Sequence, residues 1–292
     1  MNTRTELKAF LSHLRLRYQF LILSGAYLSG AVFAGGALAP GPAARPLPGL
    51  PFLIQFLSVH ILLFGGVTVY NSYWDKDTGP IGGLRAPPPL AFWTLPAAWI
   101  LQGSGLVLAL GISPASAAVY AGSMVFFWLY SRPRIRWKGR PWLSLIAIGA
   151  GTGLGGFFLG YLYDGRQTIT PASLAGALGV TFLIVSLFPM SQVYQVEEDL
   201  ERRDLTFTAR YGLPGVKRAY AWLFPLGVIL LAGSMATLDR RLGAAFLILG
   251  SVSGLGIGRA LRTLRMAPEE YGKVMGVKYV ASGLFAAFLV GV

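Results

Sequence analysis

Residues 171–191, PASLAGALGVTFLIVSLFPMS, run for 21 positions without a charged side chain, and the chain then turns acidic at Glu197-Glu198-Asp199. A helix needs about 20 mainly apolar residues to cross the hydrocarbon core of a bilayer, so this run reads as a spanning helix that ends at a polar surface. Working outward, eight further runs of similar length occur at 19–39, 51–70, 90–111, 115–130, 142–162, 219–237, 242–258 and 275–292. None alternates in the ~10-residue segments that a membrane β-barrel requires. The expectation is an all-α polytopic membrane protein: nine transmembrane helices in one bundle, a single domain over 1–292. The polar stretch Met1–Tyr18 reads as an amphipathic lead-in rather than a cleaved signal, because the run after it is long enough to span.

Composition agrees. Hydrophobic residues make up 54% of the 292 and charged residues 13%, half the share of an ordinary soluble domain. The absence of Cys excludes a disulfide scaffold, a thiolate metal site and a cysteine nucleophile. With His13 and His60 alone, a histidine metal centre or relay is not expected, and His60, in mid-run, reads as a packed side chain. The net charge of +13 is a matter of topology. With the N-terminus inside, Arg45, Arg166, Arg240 and Arg241 fall outside and the other 21 of the 25 Lys and Arg fall in inner loops. The positive-inside rule then puts the N-terminus in the cytoplasm and the C-terminus outside, in the cell membrane. Membrane lipids are the expected surroundings, and no nucleic-acid partner is needed to explain the charge.

The 12 acidic residues carry more information. Seven lie in two inner loops: Asp75 and Asp77 after the second span, and Glu197, Glu198, Asp199, Glu201 and Asp204 after the sixth. Each loop begins with an amide side chain followed four residues later by Asp: Asn71 and Asp75, then Gln195 and Asp199. At i, i+4 the two side chains share one helix face. Carboxylate and amide oxygens without sulfur or imidazole suit a hard cation, above all Mg²⁺, which binds through one or two carboxylates plus phosphate oxygens. Arg134, Arg136 and Lys138 supply positive charge in a third inner loop. The combination favours a metal-bridged diphosphate at the membrane surface with its lipid tail in the bundle.

Plainer readings stand beside this one. The segment 197–203 also fits a solvated, salt-bridged helix end, and 132–138 fits a topology signal that anchors on anionic lipid. Gly151-Thr-Gly153-Leu-Gly155-Gly156 superficially resembles a nucleotide loop. It lies inside a span with no strand before it, so close helix packing is expected there, and likewise at Gly250, Gly254 and Gly258.

Asn71-Ser-Tyr-Trp-Asp75-Lys-Asp77 resembles the first aspartate-rich motif of the UbiA superfamily of intramembrane prenyltransferases. Tyr130-Ser131-Arg-Pro133-Arg-Ile-Arg136-Trp-Lys138 is similar to that family's Tyr-Ser-x-Pro…Arg-x-Lys loop. Glu197-Glu-Asp199, with Thr206 and Gly212 downstream, is similar to its second acidic motif, and Arg15 and Arg17 fit the basic stretch before the first span. The three motifs occur in order, in three successive inner loops at about 71–89, 131–141 and 192–218. The resemblance implies a UbiA-like bundle and Mg²⁺-dependent transfer of an isoprenyl group from a prenyl diphosphate to an aromatic or lipid acceptor. It implies metal ligands among Asn71, Asp75, Asp77, Gln195, Glu198 and Asp199, with Asp75 and Asp199 catalytic. Substrate contacts are expected from Arg15, Tyr130, Arg136, Lys138 and Arg202. In such a reaction, metal and basic side chains neutralise the departing diphosphate, and aromatic faces favour the allylic cation.

The chain also departs from the family's pattern. Ser72, Gly79 and Gln195 stand where acids are usual, and Arg203 stands where a Gly is usual. Glu197 or Glu198 is a candidate replacement for a missing ligand. An intramembrane terpene cyclase of the same fold, or a non-catalytic prenyl-lipid binder or transporter, are the alternative functions.

Overall fold

The computed structural model describes residues 2–35, 49–165 and 168–292. Arg45 and Arg166, two of the four outer charges, lie outside the described residues. The elements are helices, broken by short 3₁₀ turns. A short amphipathic helix, α1 (Thr3–His13), leads into α2 (16–35). Then follow α3 (Leu50–Asp75), α4 (Thr94–Ile112), α5 (Pro114–Ser131), α6 (Pro141–Tyr161) and α7 (Pro171–Leu187). A short helix α8 (Val196–Glu201) precedes α9 (Phe207–Ala236), α10 (Arg240–Arg262) and α11 (Tyr271–Val290).

Local sequence sets these boundaries. Ser113 caps α5 through the Ser116 amide, with Pro114 in the first turn, where its missing N–H costs nothing. Thr170 and Ser173 form a reciprocal capping box ahead of α7, again followed by Pro. Thr206 caps α9 and Asp239 caps α10.

Among the described residues, eight helices are long and apolar enough to cross a membrane. The chain is an integral multi-pass membrane protein. The fourth predicted span, α5, is an 18-residue helix with a more polar composition, yet it runs the full length of α3. Gln55 donates to Ser116 at one end (2.9 Å), and Ser131 donates to Asn71 at the other (2.9 Å). Two predicted spans begin earlier than expected. Helix α9 starts at Phe207 and bends at Gly212 (φ 59°), and α11 starts at Tyr271; Lys278, counted with the inner-loop charges although it falls within the run 275–292, lies in the spanning helix.

Backbones approach closely where glycine permits. A Cβ on Gly30 would lie 1.9 Å from the Phe157 carbonyl, and one on Gly160 would lie 1.9 Å from that of Tyr27. Helices α2 and α6 therefore cross backbone to backbone, as small residues allow in membranes. The Gly-rich stretch of α6 serves the same purpose, with Gly153 against Thr181 and Gly155 against Ser123. Wider π-helical turns interrupt α2 (Gln19–Leu23), α3 (Ser58–Gly65) and α6 (Gly149–Leu154). Such turns often mark functional sites; here Leu23, Phe64 and Thr152 from the three turns face one internal chamber. His60 is fully buried against Phe20, Phe56 and Phe64, and its Nδ1 meets the Phe56 carbonyl at 2.7 Å.

Candidate active site

The last turn of α3 presents Asn71 and Asp75 on one face, and Asn71 Nδ2 donates to Asp75 Oδ2 at 2.8 Å. Lys76 ends the helix in a left-handed conformation (φ 52°), a usual way to stop an α-helix. The chain turns at Lys76, before Gly79-Pro80, and Asp77 thereby lines the same cavity as Asp75.

The loop after α5 brings two cations to Asp75. Lys138 is buried and donates to Oδ2 at 2.7 Å. Arg136 NH1 lies 3.1 Å from Oδ1, while its Nε and NH2 bind both oxygens of Asp204 at 2.6 Å. Burial works against the Lys138 ammonium, but Asp75 and Asp77 outweigh it and hold its pKa above the ordinary lysine value.

The third loop supplies Gln195 and Asp199 to the cavity wall. Asp199 Oδ2 accepts from Thr206 Oγ1 at 3.1 Å. Burial is the largest influence on its carboxyl and pushes the pKa up to about 7. Burial, then Asp75, raises Asp77 as well.

The cavity holds about 120 Å³, and Arg15, Asn71, Asp75, Asp77, Tyr130, Lys138, Gln195 and Asp199 line it. Eight of the eleven expected site residues thus meet around one space. Glu198, Arg136 and Arg202 do not line it. The Glu198 carboxylate accepts from the Thr78 amide at 2.8 Å and from Arg202 at 2.6 Å. Arg202 also pairs with Asp77. A Cβ on Gly79 would lie 2.9 Å from Glu198 Oε2, so Glu198 fills the space beside that residue.

Below the polar cavity lies an apolar chamber of about 200 Å³. The two share Arg15, Tyr18, Asn71, Tyr130 and Phe188 as walls; Phe64, Val67, Phe127, Ile148 and Leu187 line the chamber deeper down. A further space of about 80 Å³ adjoins it at Ile22, Ile184, Leu187 and Ser282. Of the aromatic residues near this level, Phe127 and Tyr130 face the chamber, and Trp74, Phe126 and Trp128 do not.

Three neighbours of the site were not among the expected site residues. Asp204 orients Arg136, Tyr18 lines both cavities and accepts from Lys278, and Ser72 accepts from Arg15 at 2.6 Å. Lys278, a loop charge in the sequence pattern, is a wall of the chamber.

Among the described residues, no three acidic or histidine side chains converge closely enough to chelate an ion by themselves. The residues nonetheless fit a hard divalent cation whose remaining ligands come from phosphate and water. The donors are all oxygen, Asp75 Oδ1 is buried with only the Arg136 ion pair at 3.1 Å, and burial raises the pKa of both Asp77 and Asp199.

The described residues thus form a membrane-type helical bundle in which an acid-lined cavity with buried cations adjoins an apolar chamber. The model of the UbiA prenyltransferase family matches residues 28–273, and the chain belongs to that family. It is 34% identical over 126 residues to protoheme IX farnesyltransferase of Aeropyrum pernix, a stretch covering 43% of this chain and 38% of that relative. The chain thus spans well under half the length of the curated relative it matches. The fold is that of a UbiA homologue from Archaeoglobus fulgidus whose structure is described as bound to DMAPP and Mg²⁺. The TM-score is 0.68 at 17% identity, covering 96% of this chain and 98% of that one. A structure described as digeranylgeranylglyceryl phosphate synthase in membranes matches with a TM-score of 0.64 at 20% identity, covering 98% of both chains.

Proposed function

We propose that this chain, acting as a single domain, transfers a prenyl group from a prenyl diphosphate to an aromatic or lipid acceptor within the membrane. The observation that carries the reading is the adjacency of the two cavities. Carboxylates and Lys138 surround a space suited to a charged head, and that space shares the wall Arg15, Tyr18, Asn71, Tyr130 and Phe188 with an apolar chamber suited to the tail. Mg²⁺, which the solved relative from A. fulgidus binds with DMAPP, would be held by Asp75, Asp77 and Asp199 with Asn71 and Gln195 as amide donors. When bound, it supplies electrophilic neutralisation of the leaving diphosphate.

The chain's own residues do the rest. Lys138 gives up part of its hold on Asp75 to the diphosphate oxygens, and Arg136, oriented by Asp204, keeps Asp75 in place while it does so. Arg202 holds Asp77 and Glu198 together across two loops, which fixes the rim of the cavity. Tyr130 and Phe127 present ring faces where positive charge develops on the prenyl carbon, and the apolar chamber excludes water from it. The N-terminus faces the cytoplasm in this reading, which puts the cavity on the cytoplasmic side of the cell membrane.

The test is to incubate the purified protein with geranyl, farnesyl and geranylgeranyl diphosphates, Mg²⁺ and a membrane lipid extract. Mg²⁺-dependent diphosphate release with a prenylated acceptor is expected. A cyclic hydrocarbon or terpene alcohol formed without acceptor would assign cyclisation instead, and tight binding without diphosphate release would assign a carrier.

A further inference from the structure

We propose that the Tyr194 hydroxyl donates a hydrogen bond to the phosphate that carries the prenyl chain, beside Arg15. The inference rests on the prenyl-transfer reading and adds a residue to it.

Tyr194 stands in the link between α7 and α8 and lines the polar cavity. It is 2% exposed, with its ring set edge-on against Tyr271 at 5.1 Å between centroids. Its hydroxyl is buried and has no hydrogen-bond partner among the described residues. A phenylalanine would pack the same ring without that cost, because a buried hydroxyl left unpaired is unfavourable. Arg15, which lines the same cavity, is alike. Its terminal nitrogens donate to neutral oxygens, the Gly82 carbonyl at 3.2 Å and Ser72 Oγ at 2.6 Å, while its buried Nε has no partner. The Arg15 charge is close enough to act on the Tyr194 phenol. Two unspent donors, from two separate links, thus stand at one cavity.

An anionic oxygen satisfies both. A phenol O–H and a guanidinium N–H each donate, and a phosphate offers several acceptor oxygens at once. Position decides which phosphate. Arg15 and Tyr18, the neighbours of Tyr194, are walls shared by the polar cavity and the apolar chamber, whereas Lys138, Gln195 and Asp199 line the polar cavity alone. The first phosphate beyond the chamber, the one esterified to the prenyl chain, therefore meets Arg15 and Tyr194, and the terminal phosphate lies among the carboxylates. When the prenyl carbon–oxygen bond breaks, its electron pair stays on the oxygen of the esterified phosphate. Tyr194 keeps its proton, and its hydrogen bond strengthens as charge develops there.

The experiment is thermal melting of the full-length protein in maltoside micelles with EDTA, titrated with geranyl phosphate and, as the uncharged control, geraniol. Geranyl phosphate should stabilise the wild type more than geraniol does. Tyr194→Phe should weaken the geranyl phosphate response at least ~10-fold, the loss expected for one hydrogen bond to a charged oxygen, and leave the geraniol response unchanged. Without ligand, Tyr194→Phe should melt at or above the wild type, because the hydroxyl has no partner to lose. A wild type that responds equally to geranyl phosphate and geraniol overturns the proposal, and this comparison needs no variant. A Tyr194→Phe protein that melts well below the wild type without ligand also overturns it, because the hydroxyl then serves the fold. Equal responses of the two proteins to geranyl phosphate overturn it as well and leave prenyl transfer standing. A wild type that binds geranyl phosphate through Tyr194 but releases no diphosphate from any prenyl donor supports the phosphate contact and refutes prenyl transfer, so the two failures are distinct.

Discussion

Replacing Asp199 by asparagine should make the protein more stable when no divalent cation is present. Asp199 is 7% exposed, accepts one hydrogen bond from Thr206 and has no ion-pair partner among the described residues. Burial pushes its pKa from an ordinary 3.8 up to about 7. Below about pH 4 the carboxyl is protonated in both folded and unfolded chains and makes no difference to stability. Between about pH 4 and 7 the unfolded chain releases the proton while the folded protein keeps it, so stability falls as pH rises. Above that window the loss is complete. The difference corresponds to about 4 kcal/mol at ~1.4 kcal/mol per pH unit, an upper bound because water entry and side-chain movement relieve part of it.

Asparagine keeps the size and the acceptor oxygen facing Thr206 and removes the charge. The measurement is melting of wild type and Asp199→Asn in detergent from about pH 5 to about pH 8, with EDTA. The two proteins should diverge as pH rises, with the variant ahead by up to roughly 10 °C at the top of the range. Mg²⁺ with inorganic diphosphate should close the gap by stabilising only the protein that retains the carboxylate. An Asp199→Asn protein that melts at or below the wild type at about pH 8 without Mg²⁺ would refute the reasoning, because the wild-type carboxylate would then be fully compensated by the protein itself.

Other expectations follow from the same geometry. Lys138→Met removes a donor from Asp75 and from the diphosphate, and should lower kcat/KM for the prenyl diphosphate ~100-fold or more; unchanged kinetics would reduce the loop to a topology signal. Asp204→Asn releases the two-pronged hold on Arg136 and should cost about tenfold in kcat/KM, although Asp204 does not line the cavity; steady-state kinetics with Asp204→Glu as control decides. Arg203→Gly should raise stability by about 0.5–1 kcal/mol in denaturant titration, since Arg203 holds φ 60° without a glycine. The chain has no cysteine, so single cysteines report topology directly: one at Arg134 should label from the cytoplasmic side and one at Arg241 from the opposite side. Labelling of both from one face would contradict the nine-span arrangement.

The helices were legible because the bilayer imposes one length on every apolar run. The i, i+4 pairing of Asn71 and Asp75 was legible for a similar reason, because helical geometry fixes it. What the linear pattern could not convey was direction beyond a helix end. Glu198 and Asp199 are adjacent in one short helix, yet Asp199 faces the cavity and Glu198 faces Thr78. Asp204 reads as one more acid in a charged loop, and its role depends on Arg136 arriving from another loop. Lys278 falls near the start of the run 275–292 and counts with the inner charges in the linear pattern; in the fold its stem packs within the bundle and its head meets Tyr18 and Ser191. The Arg203 position shows the converse. The usual glycine is absent there, but the backbone keeps the left-handed turn that glycine would favour.

That turn belongs to a pattern. Among the described residues, the non-glycine positions with left-handed backbone are Arg15, Lys76, Arg136 and Arg203, with φ of 50°, 52°, 42° and 60°. All four are basic, and each lies in a connector that frames the site. Such a conformation costs about 1–2 kcal/mol per residue and persists only where surrounding contacts enforce it. At Arg15 the turn between α1 and α2 lets the guanidinium reach Ser72 and Gly82. At Lys76 it ends α3 so that Asp77 lies beside Asp75. At Arg136 it lets one side chain meet Asp75 and Asp204 together, and at Arg203 it closes α8 so that the Asp204 amide bonds back to the Asp199 carbonyl at 2.8 Å. None of the four lies inside one of the helices α1 to α11. The strain is concentrated in the short links around the cavity, and in the proposed reaction it pre-organises the charged groups that would neutralise a leaving diphosphate.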